Sequence, residues 1–177
     1  MKWNMNLKKI IDTVPNWPKP GVNFLDITPV LANPEAFAYC TSWLVNQIHQ
    51  IGATSVVAIE SRGFIFGAPA ARLANIPLII VRKPNKLPGD TYSITYDTEY
   101  STDTLAIKTN ANPGIKPIII DDLLATGGTI IATANLLRKN FDKFDITAAS
   151  IINLGILPGA TNLRNNNIKY SCLETYE

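Results

Sequence analysis

The sequence predicts an α/β domain built on a mostly parallel, doubly wound sheet, and three observations predict it. Short apolar runs rich in β-branched residues recur at Ser55–Ile59, Leu78–Val81, 118–120 and 146–152. None of them alternates with polar residues, as expected of strands covered on both faces. Stretches with helical character separate them, at 63–75 and 129–139. Alternating strand and helix implies βαβ units with right-handed crossovers. The third observation is composition. Hydrophobic residues make up 46% of 177 residues, enough for a packed core and too many for general disorder.

The elements follow in chain order. Leu7, Ile10, Ile11 and Val14 recur at helical spacing and predict an amphipathic helix that stops before Pro15. Residues 15–20 hold three prolines and lead into Gly21, so this stretch and the run to Pro29 read as irregular. Asn33 is suited to cap a helix that has Pro34 as its first residue, with Phe37, Leu44, Val45 and Ile48 on its buried face. After the second strand the regular pattern breaks over 82–108. That is too long for an ordinary connection, and 92–108 reads as a β-hairpin with a mobile tip.

Charge and cysteine content exclude several classes. Sixteen basic and fourteen acidic side chains leave a net charge of +2, which argues against nucleic-acid binding by bulk electrostatics. Cys40 and Cys172 are too few for a disulfide scaffold or a four-cysteine zinc site. No run has the length of a membrane span, and residues 1–9 lack the apolar stretch of a signal peptide. A cytoplasmic protein is the expectation. His49, the two cysteines, Trp3, Trp17 and Trp43 read as packing or surface groups.

The chemistry concentrates in Ile118-Ile119-Ile120-Asp121-Asp122-Leu123-Leu124-Ala125-Thr126-Gly127-Gly128-Thr129. A buried strand ends in two carboxylates, a loop of small and hydroxylated residues follows, and a helix begins. Gly127 and Gly128 let the backbone turn tightly and approach a ligand. Free N–H groups at a helix start attract anions, and Thr126 and Thr129 add hydroxyl donors. The pattern is a phosphate cradle at the carboxyl end of a parallel strand, where open α/β sheets bind ligands. It lacks the Gly-Lys-Ser/Thr ending of a Walker loop and the Gly-x-Gly-x-x-Gly dinucleotide fingerprint. Carboxylates placed before the cradle suit the hydroxyls of a sugar whose phosphate occupies the loop. A second block, Glu60-Ser61-Arg62-Gly63-Phe64, also follows a buried strand and offers a guanidinium and backbone amides to an anion. Arg82, Lys83 and Lys86 form a basic stretch, and Glu99-Tyr100 sits at the predicted hairpin tip.

The Asp-Asp-Leu-Leu-Ala-Thr-Gly-Gly-Thr block resembles the phosphoribosyl-diphosphate signature of the type I phosphoribosyltransferases, in the version most similar to the adenine phosphoribosyltransferases. Further blocks fall in the same order: Pro18-Lys19-Pro20-Gly21-Val22, Asp26-Ile27-Thr28-Pro29, Glu60-Ser61-Arg62-Gly63-Phe64, Arg82-Lys83-Pro84, Lys86-Leu87-Pro88 and Glu99-Tyr100. The resemblance covers nearly the whole chain. It implies one phosphoribosyltransferase domain over 1–177, with an N-terminal hood over about 1–33 and a flexible lid over about 82–108. It implies transfer of phosphoribose from 5-phosphoribosyl 1-diphosphate to adenine, giving AMP and diphosphate in purine salvage. Mg²⁺ would be held mainly by substrate, with no dedicated metal ligands, and the chain would form a homodimer.

Site residues follow from the same resemblance. Ala125, Thr126, Gly127, Gly128 and Thr129 hold the 5-phosphate. Asp121 and Asp122 hold the ribose hydroxyls. Glu60, Ser61, Arg62, Gly63, Arg82, Lys83 and Lys86 lie near the diphosphate. Asn23, Phe24, Leu25 and Leu123 surround the base, and Glu99 is the general acid/base. Relatives carry a non-proline cis peptide near Glu60. The sequence departs from the family pattern at four positions. Asn23 stands where a hydrophobic residue is usual, Leu25 where an arginine is usual, Ala106 where a glutamate is usual and Ser101 where a glycine is usual. Hypoxanthine, guanine or xanthine therefore remain open as the base, as does a non-catalytic regulator that binds the phosphoribosyl donor.

Overall fold

The computed structural model describes residues 5–97, 102–141 and 145–177. Five parallel strands form its central sheet in the order β4-β3-β7-β8-β9. They are β3 (Ser55–Ile59), β4 (Leu78–Val81), β7 (Pro117–Leu124), β8 (Thr147–Leu154) and β9 (Lys169–Tyr176). The strand order reverses between β3 and β7, which creates the topological switch point of a doubly wound sheet. Helices α2 (Pro34–Ile51) and α3 (Arg62–Ala74) pack with one apolar cluster, and α4 (Gly128–Asn140) and α5 (Gly159–Asn165) with a second. Strand β3 is buried throughout. It sends Val56 and Ala58 to the first cluster and Val57 and Ile59 to the second. That two-sided burial is why the strand reads as one unbroken apolar run.

Helix α2 begins as the sequence predicts. The Asn33 side chain accepts hydrogen bonds from the N–H groups of Glu35 and Ala36, and Pro34 occupies the first turn. The helix ends at Gly52, whose left-handed backbone closes the last turn.

The N-terminal segment differs from expectation. Residues 7–14 do not form a helix. Leu7–Lys9 make a single 3-10 turn, and β1 (Asp12–Pro15) pairs antiparallel with β2 (Asn23–Asp26). An isolated eight-residue helix is marginal in water. Ile10, Ile11, Thr13 and Val14 are all β-branched, and a partner strand is available across the proline-rich turn. The stretch to Pro29 is likewise more ordered than expected, since it contains β2 and then the short helix α1 (Thr28–Ala32).

Between β4 and β7 lies the predicted hairpin, β5 (Thr91–Asp97) and β6 (Thr102–Lys108), in register from Thr91↔Lys108 to Asp97↔Thr102. It is fixed at its base. Arg82 and Ala106 exchange two backbone hydrogen bonds, which join β6 to the end of β4. Glu99, Tyr100 and Ser101 lie outside the described residues.

Strand β7 is longer than the predicted 118–120. It runs to Leu124 because β8 continues to pair with it as far as Leu124↔Asn153. Its pairing with β3 stops at Ala58↔Ile120. The last four residues of β7 therefore have a neighbour on one side and a gap on the other.

Candidate active site

The gap beside β7 is the candidate site. It forms a cavity of about 420 Å³ lined by Glu60 to Arg62, by Lys83, by Tyr96, Asp103 and Leu105 of the hairpin, and by 121–130. The carboxyl end of β7 supplies Asp121 and Asp122, and the following loop supplies Ala125 to Gly127. Gly128 and Thr129 open α4. Gly127 has φ +86°, a left-handed backbone that turns the chain into the helix. With no side-chain cap on α4, its first N–H groups remain available to an anion.

The loop is braced from behind by α5, which the sequence analysis did not connect with the site. A Cβ on Gly159 would sit 2.2 Å from the Ala125 carbonyl oxygen and 2.9 Å from Leu124 Cγ, so only glycine allows this approach. Asn162 Nδ2 donates to the Thr126 carbonyl at 3.0 Å. The sequence signal for this brace was Pro158-Gly159 followed by a short polar helix, which is too generic to connect with a site far away in sequence.

Asp121 and Asp122 interact closely. Asp121 Oδ1 accepts the Asp122 N–H at 2.9 Å. Burial pushes the Asp121 carboxyl well above the ordinary aspartate range, and the neighbouring Asp122 charge adds to the shift. Burial also raises Asp122, against the opposing pull of the Arg62 guanidinium. Arg62 Nε lies 3.0 Å from Asp122 Oδ2, the main compensation for a carboxylate only 2% exposed. That oxygen nonetheless accepts no hydrogen bond in well-aligned geometry. Asp122 thus keeps a buried acceptor whose near partner is the Arg62 guanidinium.

Arg62 also connects the N-terminal strands to the cavity. Its guanidinium carbon lies 5.5 Å from the centre of the Phe24 ring, a cation–π contact. The other face of this relationship is Asp26, two residues along. Its carboxyl is lowered chiefly by the Thr28 N–H, then by the Thr28 hydroxyl, with a smaller contribution from Arg62. Phe24 and Asp26 therefore occupy the site-facing side of β2. Side chains alternate along a strand, so Asn23 and Leu25 point the other way. Leu25 is buried with Leu7, Ile27 and Val30 in the core, and Asn23 is exposed. Neither side chain lines the cavity, and Phe24 also stands outside its lining, joined to it through Arg62. Leu123 does line it.

The second block closes the opposite wall. The Glu60–Ser61 peptide is cis. Glu60 does not present a free carboxylate. It accepts from Arg82 Nη2 at 3.0 Å, Arg82 Nε at 3.3 Å and the Lys83 N–H at 2.9 Å, and the Arg82 bonds lead the causes that hold its carboxyl below the usual range. Arg82 Nη1 donates to the Lys86 carbonyl at 2.9 Å. The Glu60–Arg82 pair thus shapes the loop that carries Lys83 into the cavity, while Arg82 and Lys86 do not line it. Gly63 also stands outside the lining. Its role is packing: a Cβ there would meet the Ile120 carbonyl oxygen at 2.6 Å, so glycine lets α3 start against β7 beside Asp121.

The hairpin docks onto the start of α4. Tyr96 OH donates to Thr129 Oγ1 at 3.3 Å, and burial raises its phenol above the ordinary value. Lys83 Nζ pairs with Asp103 Oδ2 at 3.2 Å across the cavity mouth.

This arrangement places the adjacent Asp121 and Asp122, the Glu60 and Asp103 carboxylates, an uncapped helix start and two cations around one cavity at the sheet's switch point. A profile for the family described as phosphoribosyl transferase domain matches residues 26–170. Adenine phosphoribosyltransferase of Serratia proteamaculans is 46% identical over 164 residues, covering 92% of this chain and 82% of that protein. The chain belongs to the adenine phosphoribosyltransferase family. Solved structures of the family agree in fold. The crystal structure of the Thermoanaerobacter pseudethanolicus adenine phosphoribosyltransferase matches with a TM-score of 0.89 at 38% identity, over 96% of this chain and 98% of that one. The Saccharomyces cerevisiae enzyme, complexed with an imino-altritol bisphosphate and adenine, matches with a TM-score of 0.86 at 31% identity, over 95% and 96%.

Proposed function

We propose that this chain transfers the phosphoribosyl group of 5-phosphoribosyl 1-diphosphate to adenine, giving AMP and diphosphate in purine salvage. One observation carries the reading. The Asp121–Asp122 pair, set on the end of β7 that β3 leaves uncovered, faces the same cavity as the cradle at 125–129. The cavity of about 420 Å³ has room for a phosphorylated ribose, with its 5-phosphate on the cradle and its hydroxyls on the carboxylates.

The chemistry is substitution at the anomeric carbon. Diphosphate leaves with the bonding electrons, positive charge develops on the sugar, and a base nitrogen attacks. Preorganised charge is the largest aid available to such a step. Arg62 and Lys83 are placed to stabilise the leaving diphosphate, and Asp121 and Asp122 fix the ribose. Phe24 offers a ring face to the base, and Leu123 offers an apolar contact. Glu99 is proposed as the proton-exchanging group on the lid. We read 1–177 as one catalytic domain, with 1–33 as the hood and 82–108 as the lid.

Mg²⁺ suits this site as a companion of the donor. Among the described residues no group of three histidine, cysteine or acidic side chains converges on a metal position. Asp121 and Asp122 are hard oxygen donors on the cavity wall, which fits an ion that keeps its waters and takes most ligands from phosphate oxygens. When bound it neutralises charge on the diphosphate.

Adenine is favoured as the base because Asn23 and Leu25 point away from Phe24, so their departures leave the site-facing side of β2 unchanged. A homodimer is proposed as well. Ile65 and Leu73 on α3 and Leu78 on the edge strand β4 are large apolar side chains left exposed on adjacent elements, as an interface requires. Among the described residues no helix is long and apolar enough to cross a membrane, and a cytoplasmic location is proposed. The test supplies Mg²⁺, the phosphoribosyl donor and one base at a time, with AMP, GMP, IMP and XMP read separately. AMP from adenine alone is expected. Turnover only with another purine would reassign the base, and donor binding without turnover would make the chain a regulator.

A further inference from the structure

We infer that Asp103 competes with diphosphate for Lys83 and so weakens the hold of the site on that group. The inference rests on the phosphoribosyl-transfer reading above. Lys83 and Asp103 both line the cavity, and their Nζ and Oδ2 atoms are 3.2 Å apart. Lys83 stands on the loop after β4, where the Glu60 carboxylate holds its backbone N–H. Asp103 stands on β6, which the Arg82–Ala106 bridge fixes beside that loop. The backbones of both residues are thus placed by fixed contacts, and the Lys83 side chain spans the remaining distance. Asp103 Oδ1 is already engaged by the Thr104 N–H at 2.8 Å, which leaves Oδ2 directed to the lysine.

The consequence is electrostatic. Diphosphate arriving in the cavity takes Lys83 as a partner, and the Asp103 carboxylate is left beside a polyanion. Binding must overcome both the lost pair and the new repulsion. When transfer is complete, the same carboxylate recaptures Lys83 and helps the product leave. An exposed ion pair of this kind corresponds to a change of about two- to five-fold in affinity. The substitution Asp103→Asn removes the charge but keeps an oxygen for the Thr104 N–H, so the strand has no reason to lose its order.

The experiment is calorimetric titration of the full chain with inorganic diphosphate and Mg²⁺, at low and high salt. It uses the native protein, Asp103→Asn, Lys83→Ala and the double variant, with thermal melting as the folding control. Asp103→Asn should bind diphosphate about two- to five-fold more tightly at low salt, and the difference should shrink at high salt. In the Lys83→Ala background the same substitution should have a smaller effect. Equal effects in both backgrounds would mean general repulsion and overturn the competition. Unchanged or weaker binding by Asp103→Asn, repeated with Asp103→Ala, would also overturn it. Failure of the native chain to bind diphosphate at all would sink the phosphoribosyl-transfer reading together with it.

Discussion

Replacing Gly159 by alanine should damage the phosphate loop from a distance. The new Cβ would lie 2.2 Å from the Ala125 carbonyl oxygen and 2.9 Å from Leu124 Cγ, where ordinary contact begins at 3.4 Å. The obstacle is backbone, so no side-chain rotation relieves it. The loop and α5 must separate by roughly 1 Å, and the Asn162–Thr126 hydrogen bond must lengthen with them. Overpacking of this kind costs about 1–3 kcal/mol. For a chain of this size that corresponds to a fall in melting temperature of about 2–12 °C. The displaced loop should bind the donor phosphate less well. A shift of that size is expected to raise the donor KM by roughly ten- to a hundred-fold. Melting followed by circular dichroism and steady-state kinetics at saturating adenine read both effects. A Gly159→Ala protein with native melting and native donor KM would show that α5 does not brace the loop.

Three other outcomes separate site from scaffold. Gly128→Ala places its Cβ in ordinary contact with the Tyr96 ring and the Asp97 carbonyl oxygen at 3.9 Å, so its melting temperature should stay native while the donor KM rises roughly ten-fold because the new side chain stands at the ligand's place; a native KM would put the phosphate elsewhere. Glu99→Gln should lower kcat by roughly ten- to a hundred-fold with little change in either KM, as loss of a transition-state proton transfer does; an unchanged kcat would leave Glu99 an ordinary lid residue. The carboxyls of Asp121 and Asp122 are raised above the ordinary aspartate value of 3.8. The folded chain therefore holds protons the unfolded chain has released, and the pair's contribution to stability falls as pH rises from about that value through its own titration. Asp121→Asn should gain melting temperature relative to the native chain on going from pH 4 to pH 7, and a flat or opposite trend would refute that sign.

The parts of the fold that were legible in the sequence are those in which local signals and burial agree. Strand β3 is apolar after Ser55, whose hydroxyl donates to the Pro113 carbonyl, and Asn33-Pro34 carries the start of α2 in two residues. The cradle at 125–129 was legible because its glycines and hydroxyls follow directly on a strand. The N-terminal segment was misread because 7–14 has both a helical spacing and β-branched residues, and the deciding factor, the partner strand β2, lies across a turn. The extent of strand β9 was not legible because it is an edge strand with a mixed polar sequence, KYSCLETY. The site itself was legible where one block carries it and obscure where folding assembles it. Nothing local links Gly159 and Asn162 to a loop more than thirty residues earlier. Along β2 a period of two divides the side chains of Asn23, Phe24 and Leu25 between two faces, which residue type alone does not assign. The Glu60–Arg82 pairing was not legible either, because its partners lie 22 residues apart in sequence.

The central claim is that the carboxylate pair at the end of β7 serves phosphoribosyl transfer to adenine. The most direct test is the rate of AMP formation by Asp122→Asn beside the native chain, at saturating donor and adenine with Mg²⁺. The variant keeps the shape of the side chain, so a native-like melt is expected together with a fall in kcat of roughly a hundred-fold or more. A folded Asp122→Asn protein that makes AMP at the native rate would contradict the account.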